Sequence, residues 1–261
     1  MRPNKLRELL RVGAPTIGTH MNTVDPSLVE AVGHSGEFDY VEFVAEYASH
    51  DMHDLDNFCR AAELHGLSSI IKVDQDPRGY LAQRGIGSGF QGVLFTDCRS
   101  VEDARECVRH VRPETPQDGG LHGVASRRFA YPGYGGTPPY VQALRDVLVV
   151  LMVEKGPLVE CLDEALSLPG VDMVQFGPAD YSMSVGRAGQ AGSEETRAVE
   201  RKVIAAALGH GVAPRAEIDS VEQARYYLDL GVRHFCIGTD FSILYRWWKT
   251  NGEQLRKLVH A

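Results

Sequence analysis

The chain has 261 residues, 43% of them hydrophobic and 24% charged, which suffices for one large domain with a sizeable core or for two small ones. A net charge of -8 at pH 7 argues against the basic face that nucleic-acid binding needs, and no apolar run reaches the ~18 residues of a membrane span. Five cysteines, at 59, 98, 107, 161 and 236, form no CxxC or zinc spacing. The leading segment MRPNKLRELLRVG reads as a short amphipathic helix without an apolar signal core. Together these features describe reduced thiols in a cytoplasmic protein.

After that helix, residues 15–20 (PTIGTH) read as a first strand, and the segment from Pro26 to Val32 opens a helix with proline tolerated in its first turn. Residues 39–46 (DYVEFVAE) form a second strand, followed by an amphipathic helix over 55–65 that Gly66 ends. A β-branched third strand spans 68–73 and a short helix covers 79–83. A fourth strand, 92–97, precedes a helix over 101–111 with Ser100 as N-cap and Glu102, Asp103 and Glu106 in its opening turns. Residues 112–139 are rich in Pro and Gly without a clear period; their Arg127, Arg128, Phe129, Tyr131 and Tyr134 suit a packed functional loop better than a disordered one. Strands at 149–154, 171–176, 213–218 and 234–238 then alternate with helices at 157–168, 194–209, 220–230 and 241–259. About eight strand–helix units make one (β/α)8 TIM barrel spanning 1–261, rather than a doubly wound sheet. Gly85, Gly87 and Gly89 lie before a strand and make no dinucleotide fingerprint.

The stretch VDMVQFGPADYSMSVG, 171–186, begins as a buried strand and breaks at Gly177-Pro178 to present Asp180, Ser182 and Ser184 at its carboxyl end. The preceding apolar run, 149–153, ends in Glu154. Two neighbouring parallel strands can deliver these two carboxylates to one cation; the alternative is that Glu154 and Asp180 cap the helices that follow them. In a barrel the other strand ends supply His20, Glu46-Tyr47, Lys72, Asp97, Glu217 and Asp240. A mouth with this many carboxylates suits a hard oxygen-preferring cation, Mg²⁺ or Mn²⁺, which polarises a carbonyl and stabilises an enolate. The backbone N–H groups of the Gly177-Pro178-Ala179-Asp180 turn can cradle a substrate carboxylate. Lys72 reads as a Schiff-base nucleophile, as a charge on an oxyanion or as a rim residue, although a carboxylate-rich mouth works against the first. His20 reads equally as a packed histidine or a base, and Glu217 as a partner of Arg215 or Arg225. Trp247 and Trp248 suit a core or a subunit interface.

The segments Val153-Glu154, Leu162-Asp163-Glu164, Pro169-Gly170-Val171-Asp172 and Gly177-Pro178-Ala179-Asp180-Tyr181-Ser182, with Gly186, resemble the HpcH/HpaI aldolase family. The likeness extends over Gly18, Phe38-Asp39-Tyr40 with Glu46, Gln91-Gly92-Val93, Leu230-Gly231, Gly238 and Asp240. It implies a class II, metal-dependent pyruvate aldolase on a (β/α)8 barrel, with a divalent metal on Glu154 and Asp180. A 2-keto acid such as pyruvate would chelate that metal, its carboxylate on the amides around Ala179 and Asp180 and Ser182 close by. The resemblance also implies a last helix swapped between subunits of a homo-oligomer, a hexamer or trimer of dimers. The usual Asp and His around the second-strand Glu are replaced by Val44 and Tyr47, the usual Arg by Lys72, a Gln by Met152, and a supporting Asp falls near Gly87. Lysine offers a point charge where arginine offers a fork. With Lys72 supporting an enolate, the proton falls to Tyr47, Glu46 or His20. Arg127 and Arg128 are candidates for the variable end of the substrate, an aldehyde-bearing fragment.

Overall fold

The computed structural model describes residues 2–125 and 131–260. Eight parallel strands close into one barrel in sequence order: β1 (Thr16–Met21), β2 (Tyr40–Val44), β3 (Ser68–Val73), β4 (Gly92–Phe95), β5 (Leu148–Val153), β6 (Met173–Phe176), β7 (Ala213–Ile218) and β8 (His234–Thr239). The helices around them are α1 (Lys5–Arg11), α2 (Pro26–Ser35), α3 (Met52–Leu64), α4 (Arg78–Ser88), α5 (Val101–Val111), α6 (Pro138–Arg145), α7 (Gly156–Glu160), α8 (Leu162–Leu166), α9 (Pro178–Ser184), α10 (Glu194–Gly209), α11 (Val221–Asp229) and α12 (Asp240–Val259). The expected barrel is therefore the observed one. Strands covered on both faces read as unbroken apolar runs, and LVVLMV of β5 is buried at every position.

Inside the barrel the lower layer is apolar: Tyr40, Ile70, Leu94, Val150 and Met173 meet Leu6 of α1, which plugs the amino-terminal end. Asp172 ties this end together. Its carboxylate accepts from Arg7, Arg112 and the Val149 amide, at 2.7, 3.2 and 2.9 Å. The Pro-Gly-Val-Asp segment is thus part of the scaffold.

Ser100 caps α5 in a reciprocal capping box with Asp103, as its sequence position suggests. Several elements differ from the sequence reading: among them, α4 is longer than the short helix expected over 79–83 and β4 ends at Phe95 rather than residue 97. The second strand stops at Val44 and places Glu46 and Tyr47 in a turn. The helix expected over 157–168 is broken at Cys161 into α7 and α8. Within the Pro/Gly-rich segment, α6 forms behind its Thr137 cap and Pro138. Arg127 and Arg128 lie outside the described residues.

Candidate active site

β5 and β6 are hydrogen-bonded neighbours, with Val153 opposite Phe176. The next residue on one strand is Glu154, and on the other is the Gly177-Pro178 turn that opens α9 and carries Asp180 in its first turn. Proline fixes φ and removes a donor, so the strand cannot continue. Glu154 is 4% exposed, and its Oε1 accepts the Asp97 amide at 2.8 Å. Burial, to which the charges of Asp180 and Asp97 add, pushes the Glu154 pKa up to about 7 against the pull of that amide and of Lys72. Lys155 is buried between two other acids, its Nζ 2.7 Å from Asp97 Oδ1 and 3.1 Å from Asp180 Oδ1. It orients Asp180 through that one oxygen. Neither Glu154 nor Asp180 serves as a helix N-cap.

Among the described residues, no three of His, Cys, Asp and Glu form a ready cation cage. A hard divalent ion needs only one or two protein carboxylates when substrate and water complete its shell. Glu154 and Asp180 fit that demand. They are all-oxygen donors beside one cavity, and a cation would offset the cost of the buried, acid-flanked charge that raises Glu154.

The cavity holds about 330 Å³. Tyr47, Lys72, Glu154, Asp180 and Glu217 line it, and the backbone from Gly177 through Ala179 forms one wall. Ser182 does not reach it: the side chain is buried and donates its hydroxyl to the Ala179 carbonyl at 2.9 Å. Lys72 Nζ lies 2.8 Å from Glu46 Oε2 and 4.8 Å from the centre of the Tyr47 ring. Burial opposes the charge on Lys72, but Glu46 outweighs it and raises the pKa well above the usual lysine value. An amine held protonated is no Schiff-base nucleophile. Burial likewise raises the Tyr47 phenol, which keeps its proton at neutral pH.

His20 sits below the mouth in a closed polar ring. Its Nε2 is 2.9 Å from Glu42 Oε1 and its Nδ1 is 3.2 Å from Glu217 Oε1. The second oxygen of Glu42 accepts from Arg215, whose Nε donates to Gln175 Oε1 at 2.7 Å. Gln175 Nε2 closes the ring on Glu217 Oε2 at 3.0 Å. Burial opposes a charged imidazole, yet Cys236, Glu42 and Glu217 together raise the His20 pKa well above its ordinary value. A carboxylate faces each nitrogen, and the charged form these acids favour has no lone pair left to act as a base. Glu217 therefore pairs with His20 and Gln175 rather than with Arg215 or Arg225. Sequence reasoning missed Glu42, Gln175 and Lys155. The available signal was a charged or amide side chain inside the buried runs YVEFV and MVQF, and a lysine directly after the metal-candidate glutamate.

Fold and chemistry together define a carbon–carbon lyase built on a (β/α)8 barrel. The chain belongs to the HpcH/HpaI aldolase/citrate lyase family, whose profile matches residues 17–244. It is 26% identical over 241 residues to a hydroxypyruvate/pyruvate aldolase of Paraburkholderia phytofirmans, covering 91% of this chain and 92% of that protein. It is 26% identical over 244 residues to a 4-hydroxy-2-oxo-heptane-1,7-dioate aldolase of Escherichia coli, covering 93% and 91%. A solved HpcH/HpaI aldolase/citrate lyase family protein from Burkholderia cenocepacia J2315 superposes with a TM-score of 0.87 at 28% identity, over 97% of this chain and all 100% of that one.

Proposed function

We propose that this enzyme cleaves a 4-hydroxy-2-oxo acid into pyruvate, or a close 2-keto acid, and an aldehyde. The observation that carries the reading is the pair Glu154 and Asp180, which follow the adjacent strands β5 and β6 and face the same cavity as Lys72, whose charged form Glu46 favours. Glu154 and Asp180 would hold Mg²⁺ or Mn²⁺, which supplies Lewis-acid polarisation of the keto group when bound. The amides of Ala179 and Asp180, in the first turn of α9, receive the carboxylate of the keto acid. Lys72 places a positive charge beside the oxygen on which negative charge develops, an electrostatic contribution that preorganised groups make best in a water-poor site.

Cleavage removes the proton from the 4-hydroxyl, breaks the C3–C4 bond and leaves its electron pair on C3, where a proton is then taken up. Of the three candidates for that proton transfer, Tyr47 holds its own proton and His20 has both nitrogens engaged. Glu46 remains, a carboxylate on the ammonium of Lys72. The same reading makes the protein a homo-oligomer of hexamer or trimer-of-dimers type, with α12 docked on a second copy.

Deuterium uptake into the methyl group of pyruvate in D₂O tests the enolate chemistry without needing the aldehyde. Exchange is expected with Mn²⁺ or Mg²⁺ and is lost with EDTA. Lys72→Ala lowers the exchange rate by roughly 10²-fold, the usual scale for deleting one charge-stabilising group, while calorimetric Mn²⁺ binding is retained. Metal-independent exchange, or full-rate exchange in Lys72→Ala, sinks this assignment.

A further inference from the structure

The polar ring around His20 takes no part in the steps above, yet it spans the barrel just under the cavity. Three of its members are sealed: the side chains of His20, Glu42 and Arg215 are 7%, 0% and 0% exposed. Glu217 is the member that opens to the cavity, with half of its side chain accessible. Its neighbours favour one state. His20 lies between two carboxylates, 2.9 Å from Glu42 and 3.2 Å from Glu217, which favour its charged form, and in that form the charges of His20 and Arg215 balance those of Glu42 and Glu217. Taking a proton on Glu217 would leave the ring with an unbalanced positive charge in a buried layer. Burial alone would raise the Glu217 pKa, but His20 reverses this and holds it below the usual carboxylate value. A carboxylate held this way is a weak base and a standing hydrogen-bond acceptor.

Glu217 Oε2 accepts from Nε2 of Gln175 and Oε1 lies 3.2 Å from Nδ1 of His20, which leaves each oxygen a lone pair for a ligand. Around the cavity the acids Glu154, Asp180, Glu200 and Asp219 outnumber the cations Lys72 and Arg215. A second carboxylate on the substrate would meet like charge there, whereas a hydroxyl would find an acceptor already positioned by the ring.

We propose that Glu217 is a specificity-determining residue, selecting substrates that bring a hydroxyl to the cavity floor and turning away those that bring a second carboxylate. This inference rests on the lyase reading given above. The hydroxyl has two sources, the carbon next to the keto group of the donor or the aldehyde itself, and the assay has an arm for each.

In the condensation direction, kcat/KM is compared for hydroxypyruvate against pyruvate with one aldehyde, and for glycolaldehyde against succinic semialdehyde with one keto acid. A preference of about tenfold or more for the hydroxylated member in at least one arm is the expected result, the size of one well-formed hydrogen bond to a charged acceptor. The arm showing it locates the hydroxyl. Glu217→Gln removes the negative charge and should collapse that ratio several-fold, mostly through KM of the discriminated substrate. Because a ratio is read, a general loss of turnover cancels. Gln175→Met, which frees one Glu217 oxygen, should weaken the ratio in the same direction and covers the case in which Glu217→Gln fails to fold. Equal use of both members in both arms, preference for succinic semialdehyde, or ratios unmoved by the variants would each overturn the inference. Pyruvate deuterium exchange on the same wild-type sample separates the two levels. Exchange without hydroxyl preference overturns this inference alone, and absence of exchange overturns the lyase reading and this inference with it.

Discussion

Glu154 folds into a corner where its neutral form is the comfortable one. Its pKa rises from 4.5 to about 7, with burial the main cause and the charges of Asp180 and Asp97 adding to it. The folded chain therefore binds more protons than the unfolded chain between these two values, so stability falls as pH rises through that window. A tenfold change in proton affinity is worth about 1.4 kcal/mol, which puts the loss on the order of 3 kcal/mol. A divalent cation binds only the ionised carboxylate and reverses the loss above pH 7. Chelator-treated protein should thus unfold at progressively lower temperature from pH 5 to pH 8, and Mn²⁺ should restore most of the difference at pH 8. Glu154→Gln should flatten the profile and abolish the Mn²⁺ effect. A steep fall that persists in Glu154→Gln would assign the instability to another group.

At the scale of elements, the turn between β6 and α9 sets where both candidate metal carboxylates stand. Gly177 has φ -106, so it is required for space rather than for a left-handed backbone. A Cβ there would lie 2.8 Å from both Cβ and Oε2 of Glu154 and 3.0 Å from Met152 Cε. Gly177→Ala must therefore push Glu154 aside. Mn²⁺ affinity measured by calorimetry should drop by roughly 10–100-fold, the scale seen when groups that orient metal ligands are altered, with an unchanged far-ultraviolet circular dichroism spectrum. Retained affinity would mean that the Glu154 side chain does not hold the ion. This turn was legible in the sequence because Gly-Pro interrupts an apolar run with few alternatives for the backbone. The strands were legible for a related reason: a parallel barrel buries both faces of each strand, and runs such as LVVLMV have no other stable use. The polar ring was not legible. Its five members come from β1, β2, β6 and β7, and each alone looks like a stray polar residue in a strand. Which of them meet depends on strand register and on inward or outward facing, and a chain read in one dimension specifies neither. Arg215 and Glu217 illustrate this, since two opposite charges two residues apart suggest a pair and instead bond separately, to Glu42 and to His20.

For the whole molecule, α12 is the element that a single barrel does not explain. It has 20 residues, and Asp240 is the buried one; that carboxylate accepts the amides of Asn22 and Thr23 at 2.9 and 3.1 Å and fixes the start of the helix to the end of β1. Beyond it, Phe241, Tyr245, Trp247, Trp248 and Leu258 are 56%, 61%, 63%, 60% and 75% exposed. The two tryptophans are accordingly not part of this chain's own core. An amphipathic helix this long, anchored at one end and exposing apolar side chains over 241–248 and 255–259, is unstable in water unless that face is covered, because isolated helices draw most of their stability from packing. The homo-oligomer proposed above supplies that cover, since every solution of this protein contains a second copy and a helix reaching outward from one barrel can lie on the next. Replacing Trp247 and Trp248 together by Glu would place two charges in that contact while leaving Asp240 and the barrel untouched. Light scattering should then show the assembly reduced to smaller units, and the thermal midpoint should become independent of protein concentration, as mass action requires once association is lost. If the double substitution leaves the molecular mass of the assembly unchanged, α12 is not its contact. If the wild-type chain is already a monomer, the homo-oligomer falls and the exposed tryptophans need another partner.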